Sequence, residues 1–404
     1  MISEEGMFGM AHRLLPKEEM LATRQKKSTI KIGVLAEKGG DESRVCLTPD
    51  SVALLVENGH EVFIQNSAGA KAGYNDMSYS ENGGKISSTL EEVMQADVVL
   101  KVSPLNSKER TNIQKNQVLI TSLPLLAQSR DYFESMVDKK AIGISFERIK
   151  DSIQSFALIR SMSEIVGTTG IQIASYYLSH PDYGNGTMLG GVPGVRPAEV
   201  VIIGAGTVGE YAVRAAIGMG ASVKVFDNHI YKLRRLQNNI KQNVFTSTIQ
   251  PQVLQKALQS ADVVIGALRS SDNLPINKIP SYMVEGMKRK SVIIDVSIDQ
   301  GGTFETSRPT THQDPIYEQY GVTHYCVTNI ASRVPYTASN ALSNFFAPLL
   351  LEMSDYGGIS EYLKKDIGVR NGVYVYNGIV TDSNIGRTFG FNYRDLALLL
   401  AVLQ

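Results

Sequence analysis

The stretch that decides the fold reads Val200-Val201-Ile202-Ile203-Gly204-Ala205-Gly206-Thr207-Val208-Gly209-Glu210. Four β-branched apolar residues in a row read as a buried strand. The glycine run then makes a tight turn, and Glu210 to Met219 continues as a helix. This is G-x-G-x-x-G between strand and helix. Gly204 permits the turn, Gly206 lets the backbone approach a pyrophosphate, and Gly209 lets helix and strand pack closely. The helix N-terminus adds amide donors and a favourable dipole, and Thr207 lies in the glycine turn. The next strand, Ser222 to Phe226, ends at Asp227, near the spacing at which an acid receives the adenosine ribose hydroxyls. A carboxylate there repels a 2′-phosphate, which favours NAD over NADP. The basic cluster Lys232, Arg234 and Arg235 follows closely.

Outward from this motif the chain alternates. Upstream, strands are expected at 31–35, 60–64, 97–102, 117–123 and 141–146, with helical segments between them. Helices are expected over about 155–180 and 336–352, flanking a second alternating series from Val200 to Val327. A last helix is expected at 393–403, and Gly184 to Pro197 is rich in glycine and proline and reads as loop. Strands alternating with helices predict an α/β protein with largely parallel sheets.

Composition narrows the class. The chain has 404 residues, enough for two or three domains. Its 40 basic residues balance 40 acidic ones, which argues against nucleic acid as a partner. The longest apolar run, Leu396 to Leu403, is far shorter than the roughly 20 residues a spanning helix needs. Cys46 and Cys326 cannot form a disulfide framework and read as reduced thiols of a cytoplasmic protein. Residues 1–29 mix charges of both signs without an apolar core, with a short helix expected near Pro16, and read as a solvated N-terminal arm.

Further motifs extend the pattern: Glu42-Ser43-Arg44-Val45-Cys46-Leu47-Thr48-Pro49, Met162-Ser163-Glu164, Gly190-Gly191-Val192-Pro193-Gly194-Val195, Ile298-Asp299-Gln300-Gly301-Gly302, Ser307 to His312, and His324-Tyr325-Cys326-Val327. Together with the glycine fingerprint, they resemble the alanine dehydrogenase branch of the alanine dehydrogenase and nicotinamide nucleotide transhydrogenase alpha-subunit family, over about residues 30–404. The resemblance implies two Rossmann-like domains, the NAD-binding domain (158–335) inserted into a discontinuous substrate domain (30–157 and 336–404). It implies reversible NAD-dependent oxidation of L-alanine to pyruvate and ammonia, by a homo-oligomer, a hexamer in this family.

The resemblance also assigns residues. Arg44 matches the arginine that holds the substrate carboxylate, a task suited to a guanidinium fork. Lys101 matches the substrate-binding lysine, and its place inside the apolar run Val98-Val99-Leu100-Lys101-Val102 supports this independently, since lysine is seldom buried unless paired or functional. Asp299 matches the aspartate near the nicotinamide. Ser163, Thr207, Lys232 and Asn329 match cofactor-side positions, beside Gly204, Gly206, Gly209 and Asp227.

Two departures stand out. The family's dehydrogenases carry a catalytic histidine in a loop that here reads Thr121-Ser122-Leu123-Pro124-Leu125-Leu126-Ala127. The aligned position is Leu125 when anchored on Ala127, and Pro124 when anchored on Thr121. No histidine lies between His60 and His180, and His312 and His324 belong to other motifs. The second departure is Arg269-Ser270-Ser271-Asp272-Asn273, where the dehydrogenases have a Gly- and Lys-containing loop. The competing readings are an NAD(H)-binding subunit like the transhydrogenase alpha chain, or a related amino-acid dehydrogenase or pseudoenzyme without the histidine. The short segment 228–260 leaves no room for the transhydrogenase's longer insertion.

Overall fold

The computed structural model describes residues 28–269 and 277–402. The helix expected near Pro16 and the departing residues Ser270 to Asn273 lie outside them.

Two sheets organise the chain. The first contains β1 (Lys31–Val34), β2 (Glu61–Gln65), β3 (Lys85–Ser87), β4 (Val98–Leu100), β5 (Val118–Thr121) and β6 (Ile142–Ser145). The second contains β7 (Glu199–Ile203), β8 (Ser222–Phe226), β9 (Phe245–Ser247), β10 (Val263–Gly266), β11 (Val292–Asp295), β12 (Ile316–Gln319) and β13 (Val322–Tyr325). The chain then returns to the first sheet with β14 (Val373–Tyr376) and β15 (Ile379–Val380). The spatial orders are β15-β14-β6-β5-β4-β1-β2-β3 and β12-β13-β11-β10-β7-β8-β9. Both are α/β sheets of the doubly wound kind. The first strand in sequence lies inside the sheet, and the order runs outward from it in both directions.

The central strands are parallel: β1 pairs with β2 and β4, and β7 with β8 and β10. Strands covered on both faces need continuous apolar sequence rather than alternation. Val263-Val264-Ile265-Gly266 and Val292-Ile293-Ile294-Asp295 meet that need, and every residue in them is buried. The antiparallel strands, β12, β14 and β15, lie toward the edges.

Two long helices join the sheets. Ala157–Ser179 begins in the first core, with Leu158 and Met162, and ends in the second, with Ile171, Ala174 and Leu178. Pro335–Asp355 carries the chain back, burying Ala338, Leu342, Phe346 and Leu350 in the first core. These are the connections expected at 155–180 and 336–352. The final helix is shorter than expected, Leu396–Val402 within the described residues.

The first of these helices packs on Thr207–Gly218 through Gly167, where a Cβ would stand 2.4 Å from the carbonyl oxygen of Val208. Both atoms belong to helical backbone and cannot swing aside. Gly167→Ala is therefore expected to destabilise the fold by about 1–3 kcal/mol, the usual cost of overpacking. Thermal unfolding checks this, and an unchanged Tm would contradict the contact.

Candidate active site

In open α/β sheets ligands bind at the carboxyl edge, beside the strand where the order reverses. In the second sheet that point lies between β7 and β10. The turn after β7 holds Gly204 at φ +116°, a left-handed conformation in which a side chain would also strike Ala267. A Cβ on Gly206 would meet nothing within 4 Å, so the backbone there lies open to a ligand. A Cβ on Gly209 would fall 1.9 Å from the Gly204 carbonyl oxygen, so the helix can start this close to the turn only with glycine. Thr207 opens the helix. These residues fit a dinucleotide pyrophosphate.

Asp227 is buried and braces this turn. One oxygen accepts from the Ala205 amide at 2.8 Å, and the other from the His229 amide at 2.8 Å. The acid placed by sequence spacing thus also holds the turn's shape. Lys232 lies in the first turn of the following helix, Ile230–Ile240. It is Arg235, which the sequence left in a cluster, that reaches the turn, donating to the Ala205 carbonyl at 3.3 Å. Ser163 lies one turn before Gly167, and its hydroxyl donates to the Ile159 carbonyl at 2.7 Å.

The first sheet reverses between β1 and β4, and its carboxyl edge gathers the charged residues. Glu37 follows β1, Lys101 follows β4, the 122–127 loop follows β5, and Glu147 follows β6. Lys101 lies just past its strand, not within it. It is buried with its ammonium 2.8 Å from Glu109, 3.3 Å from the Pro104 carbonyl and 4.0 Å from Glu37. Glu109 comes from the short helix Ser107–Thr111, where it also closes a capping box with Asn106. Glu37 accepts from the Val102 and Ser103 amides and the Ser103 hydroxyl. Burial pushes the Glu37 carboxyl up, the Lys101 ammonium and Ser103 hydroxyl oppose this, and the charge of Glu42 adds to it.

Arg44 is held by Glu42: Nε donates at 2.8 Å and Nη2 at 2.7 Å to its two oxygens, while Nη1 lies 3.5 Å from the Met162 sulfur. This occupies one edge of the guanidinium and leaves the Nη1–Nη2 edge for a carboxylate. Glu42 also accepts from the Asn329 side chain at 2.7 Å and the Ser332 hydroxyl at 3.2 Å, so it ties the end of the second sheet to the first. Burial opposes charge on Glu42, yet the hydrogen bonds and charge of Arg44, helped by Asn329, hold its carboxyl below the ordinary range.

Asp299 stands on the loop after β11. Asp295 locks that loop, accepting from the Ser297 amide at 3.0 Å, the Thr303 amide at 2.7 Å and the Ser307 hydroxyl at 2.5 Å. The Asp299 side chain keeps an exposed surface, but protein surrounds it on other sides. This desolvation raises its carboxyl pKa, the charge of Glu147 adds to the rise, and Arg44 and the Asn329 amide lower it. Asn329 has left-handed backbone (φ +62°), with its side chain on Glu42. Arg44, Asp299 and Asn329 thus come together where the two sheets meet, with Lys101 in the ion-paired cluster beside them. Sequence reading missed Glu37, Glu109 and Glu147. Each is a lone acid outside any motif, and only the strand order makes them neighbours.

Two of the described histidines belong to motifs of the second sheet. His324 is buried against Thr306, at 2.9 Å, and the Val322 carbonyl, and burial lowers its pKa to about 4. His312 contacts the Asn329 carbonyl at 3.3 Å. In the 121–127 loop, Pro124 is exposed, whereas Leu125 packs against the buried cluster around Val99 and Leu119.

Residues 33–166 match the family model described as alanine dehydrogenase/PNT, N-terminal domain, and residues 170–383 match its C-terminal domain. Alanine dehydrogenase of Mycobacterium tuberculosis H37Rv is 34% identical over 373 residues, covering 92% of this chain and 100% of that protein. Alanine dehydrogenase 2 of Staphylococcus aureus Mu50 is 34% identical over 368 residues, 91% of this chain and 98% of the relative. A solved L-alanine dehydrogenase superposes with a TM-score of 0.83 at 34% identity, covering 89% of this chain and 99% of its own. A transhydrogenase from Sinorhizobium meliloti reaches 0.73 at 20% identity, covering 88% and 99%, and shares the fold.

Two outcomes follow from the ion pairs. Glu109→Gln leaves the Lys101 ammonium without its nearest carboxylate and is expected to cost about 3–5 kcal/mol, toward the lower end because Glu37 remains; urea denaturation measures it. Glu42, with its lowered pKa, contributes stability above its unfolded value, lost as the pH falls through the folded one. Glu42→Gln is therefore destabilised at neutral pH, and the gap in urea midpoint from wild type narrows below about pH 4.

Proposed function

Because the chain belongs to the alanine dehydrogenase/PNT family, we propose that it oxidises L-alanine with NAD and water to pyruvate and ammonia, and runs the reverse reaction. The observation that carries this reading is the meeting of two edges. A glycine turn open to a pyrophosphate lies on one sheet, and an arginine fixed by Glu42 along its Nε–Nη2 edge lies on the other. We assign 158–335 to NAD binding, and 30–157 with 336–404 to the substrate.

NAD, when bound, would supply the hydride acceptor for the substrate Cα. Gly204, Gly206, Thr207, Gly209 and Asp227 would hold it, with Ser163, Lys232 and Asn329 beside it. Arg44 receives the substrate carboxylate on its free edge, and Glu42 fixes the other edge so that the fork does not rotate. Lys101 supplies positive charge near the substrate oxygens once its ammonium turns from Glu109. Asp299 steers the substrate ammonium. A site that closes by bringing two edges together also excludes bulk water, which strengthens each of these contacts.

The finer setting belongs to the same reading. Exposed Tyr176, Met188, Val192 and Val195 support a homo-oligomer, and two buried free thiols, Cys46 and Cys326, support a reducing cytoplasm. No helix among the described residues is long and apolar enough to cross a membrane.

A spectrophotometric assay of NAD reduction with alanine, and of NADH oxidation with pyruvate and ammonium, tests the function. Lys101→Ala and Asp299→Ala are each expected to lower turnover by about 10²–10⁴. Absence of turnover in wild-type protein that still binds NADH would overturn the reading. Pro124→His is expected to raise alanine turnover, and Leu125→His, at a position packed into the core, is not.

A further inference from the structure

The motif Ser307 to His312 has no part in the reaction described so far. It ends in a tight loop beside β13. The Thr310 amide donates to the Cys326 carbonyl at 3.0 Å, the Thr310 hydroxyl to the Pro315 carbonyl at 3.0 Å, and the Asp314 amide to the Thr311 hydroxyl at 3.1 Å. His312 is half-buried on this loop and makes two contacts that lead in different directions. Its backbone amide donates to Asp41 Oδ1 at 3.1 Å, on the loop after β1. Its ring Nε2 lies 3.3 Å from the Asn329 carbonyl oxygen, and since a carbonyl only accepts, Nε2 carries the proton.

Both destinations matter to the site. The segment that carries Arg44 begins Gly39-Gly40-Asp41 and has no helix or strand before Pro49–Glu57. Two glycines in a row leave the backbone free to move, so contacts from outside set its position. On one side the Lys71 ammonium holds it, donating to the carbonyls of Gly39 at 2.8 Å and Glu42 at 3.0 Å. On the other side the second sheet holds it. There the His312 amide meets the Asp41 carboxylate, and the Asn329 side chain donates to the Asp41 carbonyl at 3.4 Å and to Glu42 at 2.7 Å. Asn329 keeps its left-handed backbone at a cost. With its side chain spent on the first sheet's loop, it gives no side-chain cap to the turn Ile330–Arg333 that it opens. Its carbonyl accepts both from the Ser332 amide, at 3.0 Å, and from the His312 ring. Those two bonds fix the peptide between Asn329 and Ile330.

We propose that Asp41 and His312 are positioning residues that align the two halves of the active site with each other. The assignment rests on the alanine dehydrogenase reading. Asp41 holds the loop of Arg44, so that the guanidinium meets the substrate carboxylate in one place. His312 holds the peptide of Asn329, on the nicotinamide side. One residue supplies both contacts, its amide reaching the first sheet and its ring the second. The two edges are therefore set against each other, and not merely each against its own sheet. Neither residue touches the substrate or exchanges a proton with it.

Two pairs of variants separate the contacts. Asp41→Ala removes the acceptor, and Asp41→Asn keeps it. His312→Phe keeps the ring's bulk and the backbone amide but removes the donor, and His312→Gln keeps a donor at similar reach. Asp41→Ala is expected to raise the KM for alanine about tenfold with little change in kcat. His312→Phe is expected to lower kcat by about 10² with a smaller change in KM, as a slight misplacement of the reacting groups does. Each conservative variant recovers most of the loss. Hydrogen exchange read by mass spectrometry follows the contacts without turnover: segment 39–44 exchanges faster in Asp41→Ala, and segment 329–333 in His312→Phe. Wild-type kcat and KM in Asp41→Ala and His312→Phe overturn the assignment, and a lowered Tm beside them marks the contacts as merely structural. Wild-type protein that turns over neither alanine nor pyruvate sinks the functional reading. Exchange that neither variant changes then sinks the positioning of the two segments as well, whereas faster exchange upholds it.

Discussion

Glu42 is the constraint on which the site depends. Its carboxylate receives donors from three places: the Ser43 and Arg44 amides and the Arg44 guanidinium, the Asn329 amide group, and the Ser332 hydroxyl. The first set belongs to the loop after β1, the others to the segment leading from the second sheet into the returning helix. One buried anion therefore orients the arginine and joins the two halves. A carboxylate in such surroundings is costly to bury and worth keeping only if nearly every lone pair is used. Here they are used, which explains why its acidity increases despite burial.

The junction has a direct topological cause. Each sheet starts with an inner strand and reverses beside it, so each leaves an open carboxyl edge between its first and fourth strands. The long helix 157–179 spans both cores, and the helix 335–355 returns the chain, so the two units are tied at two crossings. With the Asn329 side chain on Glu42, the edges are held facing one another. The same strand-to-loop positions that a single sheet would use for one ligand are thereby used for two.

Much of this was legible beforehand, for physical reasons. Buried parallel strands need unbroken β-branched runs, and a left-handed turn at close range needs glycine, so Val200 to Gly209 could be read directly. Both helical crossings were visible from length and apolar content. The partners of Lys101 were not. A lysine inside an expected buried strand announces that it needs an anion, but Glu109 arrives eight residues later from a one-turn helix, and Glu37 from the loop after another strand. Spacing carries no signal for contacts made by sheet order. Asp227 shows a subtler limit: its spacing pointed to a ligand, while the structure shows that it also braces the Ala205 amide.

The missing histidine looks different in this light. An imidazole serves proton transfer because its ordinary pKa lies close to neutrality; a lone exposed carboxylate does not. Carboxylates reach that range by desolvation and by crowding with like charge. At this junction burial and then the charge of Glu147 raise the Asp299 carboxyl, and a nearby arginine limits the rise.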